Sequence, residues 1–184
     1  MGSSILEGRM VRGFLFAALL VMSAAAAAQT PEFGNPVGPG AWRIEVVRDV
    51  MTDRARARTV LVSEARNAAL IIQCESGAGS RVYFGVEFQE YLGFSTDPIQ
   101  EAMIRFDQEA PLTTRWLYEN SIIQQTDQRR VAALVSVLRG ARRVAVRALK
   151  WNLPRHNFVD ATFDVTGSAE AIDAAYAACG RAAP

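Results

Sequence analysis

Histidine occurs once in these 184 residues, lysine once and cysteine twice, and the familiar catalytic motifs are missing altogether. Each scarcity excludes something. With His156 as the sole histidine, a metal centre with several histidines is ruled out, and any Ser-His-Asp arrangement would have to run through this one residue in the segment NLPRHNF. Without G-x-S-x-G, H-E-x-x-H, P-loop or G-x-G-x-x-G patterns, the chain lacks the signatures of a nucleophile elbow, a zinc hydrolase helix and a glycine-rich phosphate cradle. Gly77-Ala78-Gly79 reads as a hairpin turn. Carboxylates do pair in sequence, Glu87 with Glu90 and Asp160 with Asp164, but Asp160, Thr162 and Asp164 are simply the wet side of an alternating strand. We expect no catalytic residue, no metal site and no cofactor. With no C-x-x-C spacing, a catalytic thiol pair is not indicated either.

The only long apolar run is near the start, in MGSSILEGRMVRGFLFAALLVMSAAAAAQT. Arg9 and Arg12 precede an apolar stretch from Gly13 to Met22, and a run of small residues follows, which is the layout of a secretory signal peptide. The stretch is too short to cross a hydrocarbon core of ~30 Å as a helix. A buried N-terminal helix is the alternative reading, and the lack of a polar face from Gly13 to Ala28 argues against it. Cleavage is expected after Ala28, from a start at either Met1 or Met10, giving a periplasmic or secreted protein with no transmembrane segment in the mature chain. No cysteine follows the apolar run to carry a lipid anchor.

Removing residues 1–28 takes away Arg9, Arg12 and Glu7 and leaves eighteen residues of each sign. A neutral chain exerts no general pull on nucleic acid, so no nucleic-acid partner is expected. Residues 29–40, with three prolines and three glycines, read as an extended tether. A single domain over residues 41–184 follows.

Within that domain, alternation marks strands in AWRIEVVRD, TVLVSEA, NAALIIQCE, RVYFGVEF, EAMIRFDQ, TTRWLYEN, RRVAVRALKW and FVDATFDVTG. The period changes twice. In DQRRVAALVSVLRGA the residues Val131, Leu134, Val135 and Leu138 recur at helical spacing, with Asp127 as N-cap, and SAEAIDAAYAACG does the same with Ser168 as cap. The fold class expected is α+β: a mainly antiparallel sheet or sandwich with two helices, the C-terminal one linked to the sheet by a disulfide.

That disulfide is argued from direction and compartment. Cys179 shares a helical face with Ile172, Ala175 and Tyr176, and Cys74 shares a strand face with Leu70 and Ile72. Two inward cysteines in an exported chain should pair; the alternative is two buried free thiols. The other candidate site is the row Arg54, Arg56 and Arg58, which an extended backbone would present on one side to a phosphate, an anionic glycan or a lipid head group. An ordinary charged hairpin rim, partly paired with Asp49 and Asp53, is the competing reading.

The order WRIEVVRDVMTD, LIIQC, IRFD, Trp116, ATFDVTG and then AI and ACG resembles the VasI/TagO-like proteins associated with type VI secretion. The resemblance spans Trp42 to Gly180 and is strongest at Cys74, Arg105-Phe106-Asp107, Trp116, Phe163-Asp164, Gly167 and Cys179-Gly180. It implies an exported accessory protein of a contractile secretion machine, with an envelope or secretion-apparatus protein as partner, and it supplies no active site. The invasion-associated locus B type, also exported and rich in strands and cysteines, is similar over less of the chain.

Overall fold

Side-chain alternation sets the fold, because each strand turns its apolar or small residues to one common face. The computed structural model describes residues 41–93, 97–151 and 157–184. The proposed leader, the tether and His156 lie outside them. Among the described residues nine strands form a single antiparallel sheet: β1 (Arg43–Arg48), β2 (Ala55–Val62), β3 (Ala68–Glu75), β4 (Val82–Phe88), β5 (Ile99–Phe106), β6 (Leu112–Glu119), β7 (Ile122–Gln125), β8 (Arg143–Lys150) and β9 (Asn157–Asp164). Two helices, α1 (Gln128–Leu138) and α2 (Ser168–Ala178), complete the α+β fold.

The spatial order is β1-β2-β3-β4-β7-β6-β5-β8-β9. The first four strands make the expected meander. The next three enter in reverse, so the two-residue turn between β6 and β7 brings the short β7 against β4. Sequence reading passes over β7, since four residues between a strand and a helix give alternation little room to show. It also starts β2 four residues late, at Thr59. Alanine and arginine are weak strand formers, yet Ala55 and Ala57 point inward while Arg56 and Arg58 point out.

The sheet coils until its ends meet. The backbone N–H of Glu64, after β2, donates to Thr162 O of β9 at 2.9 Å, and Trp42 Nε1, before β1, donates to Thr166 O at 3.1 Å. Residues that β9 leaves at the sheet edge are thereby partly covered. Inside lies one continuous core, in which Leu61, Ile72, Phe84, Ile104, Trp116, Ile123 and Phe163 are all buried. Trp116 meets Phe84 edge to face with centroids 5.8 Å apart.

Both helices close this inner face. In α1, Val131, Leu134, Val135 and Leu138 are the buried stripe, and the Asp127 carboxylate accepts the Arg130 N–H as N-cap. In α2 the expected cap is corrected. Gly167, at φ +79°, holds the N-cap position, a left-handed conformation that costs glycine nothing. Ser168 is the first helical residue instead, buried, with its hydroxyl donating to Leu138 O at 2.8 Å. That bond satisfies a carbonyl at the end of α1 that the helix itself leaves open.

Cys74 and Cys179 are bonded, with Cα atoms 6.3 Å apart and a sequence separation of 105. Both are buried. Small side chains make the approach possible, since α2 packs on β1, β2 and β3, where Ala55 and Ala57 face inward and Ala57 is the register partner of Cys74. By the chain-entropy model a link across this span stabilises by about 4 to 5 kcal/mol, with measured values commonly nearer 2 to 4. Reducing the bond, or the double change Cys74→Ala and Cys179→Ala, should therefore lower the urea midpoint by the equivalent of about 2 to 5 kcal/mol. A midpoint that ignores reductant would show that packing alone holds α2.

Candidate functional site

The arginine row is on the outer face of the sheet, and carboxylates meet two of its three members. Arg58 Nε lies 2.5 Å from Glu45 Oε2, its register partner on β1, and Arg56 lies 3.2 Å from Glu75, its partner on β3. Cross-strand opposition is what places them together. Arg54 stands before β2, with its side chain against Gly77 of the neighbouring hairpin. There Asp49 accepts the backbone N–H groups of Met51 and Thr52 at 2.8 and 3.1 Å, which hold its carboxyl below the usual range, with a further contribution from Arg54. Arg56 and Arg58 are therefore paired with Glu75 and Glu45, while Arg54 acts on Asp49.

Three of the four carboxylates singled out from sequence, Glu90, Asp160 and Asp164, are likewise engaged. Glu90 pairs with Lys150, and Asp160 takes two bonds of 2.7 Å from Arg147, which hold its carboxyl below the usual range. Asp164 accepts the N–H and hydroxyl of Thr166 at 3.1 and 2.7 Å, so the FDVTG segment is a turn leading into α2. Asp107, the last residue of the RFD motif, adopts φ +47° and accepts the N–H groups of both Arg142 and Arg143 on Oδ1, at 2.9 and 2.8 Å. It pins the start of β8 to the end of β5. Asp107 and Asp164 thus have structural occupations. Among the described residues no group of three or more His, Cys, Asp or Glu side chains is placed to hold a metal ion.

Sequence reading misses the outer face of β2, β3, β4 and β7. The register aligns Val60, Ile71, Gly85, Gln124, Leu117 and Ile99 across six strands. Beside this row lie Val62, Ala69, Glu87 and Ile122. An antiparallel sheet with one wet face should carry polar residues there. Instead Val60, Ile71, Tyr83, Leu117 and Ile122 are half-buried in a surface that no described helix covers. At its centre Gly85 approaches β7 so closely that a Cβ would sit 3.2 Å from Ile123 O. The missing side chain leaves a dent of about 330 Å³, walled by Ile71, Tyr83 and Ile122 and rimmed by Arg58, Gln73, Glu75, Glu87 and Gln124. The signal was legible: AALII in β3 is apolar on both faces, not one.

No family model matches the chain, and no curated protein matches it. Among solved structures, the chain is similar to the crystal structure of invasion associated protein B from Bartonella henselae, with a TM-score of 0.50 and 10% identity over 77% of this chain and 95% of that one. That likeness concerns fold alone.

Two substitutions separate structural from marginal contacts. Asp107→Ala strands two backbone donors and should cost about 1 to 3 kcal/mol of stability, whereas Arg58→Ala removes an exposed pair and should cost less than about 1 kcal/mol. Chemical denaturation of each variant measures both, and equal losses would contradict the assignment.

Proposed function

We propose that this chain is an exported accessory or interaction protein of the cell envelope, which binds a protein partner through the outer face of β2, β3, β4 and β7. The apolar row centred on the Gly85 dent carries this reading. A pocket with apolar walls and a polar rim is the kind of place where a partner's anchoring side chain binds, because the walls exclude water while the rim supplies direction. The buried disulfide fits an extracellular or periplasmic compartment, and no described helix is long and apolar enough to cross a membrane. A leader over residues 1–28 belongs to the same proposal, as does service to a type VI secretion apparatus, which rests on the resemblance of the quoted segments. The likeness to invasion associated protein B supports a shared scaffold and no more.

The ligand-binding alternative draws less from the geometry, since Arg56 and Arg58 are already engaged by Glu75 and Glu45. Replacing Ile71 by arginine places a charge in the apolar row and should abolish cross-linking to an envelope partner while leaving the denaturation midpoint within about 1 kcal/mol of the parent. Undiminished cross-linking by Ile71→Arg would remove this face from the proposal. The secretion assignment is tested apart from it: deletion of the gene should lower effector release by the contractile machine, and unchanged release would overturn that part.

A further inference from the structure

A second feature of the outer surface lies at the other end of the sheet, on β5, β8 and β9. The register sets three residues in line there: Arg105 on β5, Ala145 on β8 and Thr162 on β9. Two of the three are short, so the surface sinks between taller neighbours. On one side stands the row Met103, Arg147 and Asp160; on the other, Arg143 reaches across to Glu64 with bonds of 2.8 and 2.9 Å. The resulting dent is about 320 Å³, and Met103, Pro111 and Ala145 are among its lining residues.

The arginine that lines the dent and the one just beyond it have each already met a carboxylate. Arg147 holds Asp160 through two bonds, and Arg143 holds Glu64 through a fork. Asp107, nearby, spends one oxygen on two backbone donors. Arg105 differs. It is exposed at the mouth of the dent and has no ion pair or hydrogen-bonded side-chain partner among the described residues. Five donors in a planar fork are left to water beside an apolar floor, where a carboxylate could take two of them at once. The neutralised walls do not repel such a group. Charges around the dent nearly balance, so selectivity would come from this one fork and not from a long-range field.

We propose that this dent binds an acidic side chain on an extended peptide segment, with Arg105 taking the carboxylate and the floor at Ala145 and the flank at Met103 taking an adjacent apolar side chain. A peptide suits it better than an acidic glycan. Sugars favour open aromatic faces, and Phe158 on the same surface has the Arg147 guanidinium 5.5 Å from its ring centroid. This site is separate from the Gly85 dent and stands whether or not that face binds a partner.

The test is fluorescence anisotropy of the full folded protein, disulfide intact, with two labelled hexapeptides: alternating glutamate and leucine, and alternating lysine and leucine. The glutamate peptide should bind and the lysine peptide should not. Arg105→Ala should weaken binding about tenfold or more, Arg105→Lys by less, and Arg105→Glu should abolish it, with unfolding midpoints unchanged. Ile71→Arg should leave this binding intact, which separates it from the partner face. Equal affinity of Arg105→Ala and the parent overturns the proposal. So does failure of the parent to bind the glutamate peptide, and so does binding of polygalacturonate in its place.

Discussion

The bond between Cys74 and Cys179 fixes where α2 can lie, and most of the interior depends on that position. A coiled sheet has an inner face that must be covered. Here α2 contributes Ile172, Ala175 and Tyr176 to a core built from the inner face of the sheet. The helix is only eleven residues long and rich in alanine. Burying Ile172 and Tyr176 stabilises by roughly 1.5 to 3 kcal/mol for each large side chain, which is little against the entropy of ordering the whole segment. A covalent tether at the far end removes much of that entropy from the unfolded chain. At the near end Ser168 is bonded to Leu138 O, and Arg139 forks onto Asp173, so α2 is tied to α1 as well.

With both helices committed to the inner face, nothing described remains to cover the outside. The outer surface then divides by chemistry. Around β1, β8 and β9 it is charged, and arginines meet carboxylates across strands: Arg58 with Glu45, Arg147 with Asp160, Arg143 with Glu64. Around β3, β4 and β7 it sets the apolar Ile71, Tyr83 and Ile122 among Gln73, Glu87 and Gln124. Exposed ion pairs add little stability, but they keep a long sheet soluble and discourage wrong pairing at its edges.

How much of this the sequence disclosed depends on length and period. Eight of the nine strands and both helices are visible because their alternation persists over six or more residues or over two helical turns. The disulfide is visible because two independent periods, 2 in β3 and 3.6 in α2, point both sulfurs inward. Strand β7 is too short for a period to register. The role of Ser168 is hidden because a serine before a helical run normally caps it, and only the tertiary contact with Leu138 O reveals another use. Site chemistry is hidden for a related reason. The spacing of Arg54, Arg56 and Arg58 is local information, while the partners that engage Arg56 and Arg58, Glu75 and Glu45, arrive from other strands through register.

Register also explains why the surfaces of interest are not where charge clusters in sequence. Arg105, Ala145 and Thr162 are separated by forty and seventeen residues, and Val60, Ile71, Gly85 and Gln124 come from four strands, yet each set is contiguous in the sheet. In an antiparallel sheet a surface is written across strands, and a residue's freedom depends on what stands opposite it. Arg56 and Arg58 look free and are opposed by carboxylates. Arg105 lies in a motif that reads as structural and is opposed by Ala145. The same motif supplies Asp107, which fastens β5 to β8 through the N–H groups of Arg142 and Arg143. Phe106 between them is buried in the core. Three consecutive residues thus divide among solvent, core and strand junction, as the period of two and the turn that follows require.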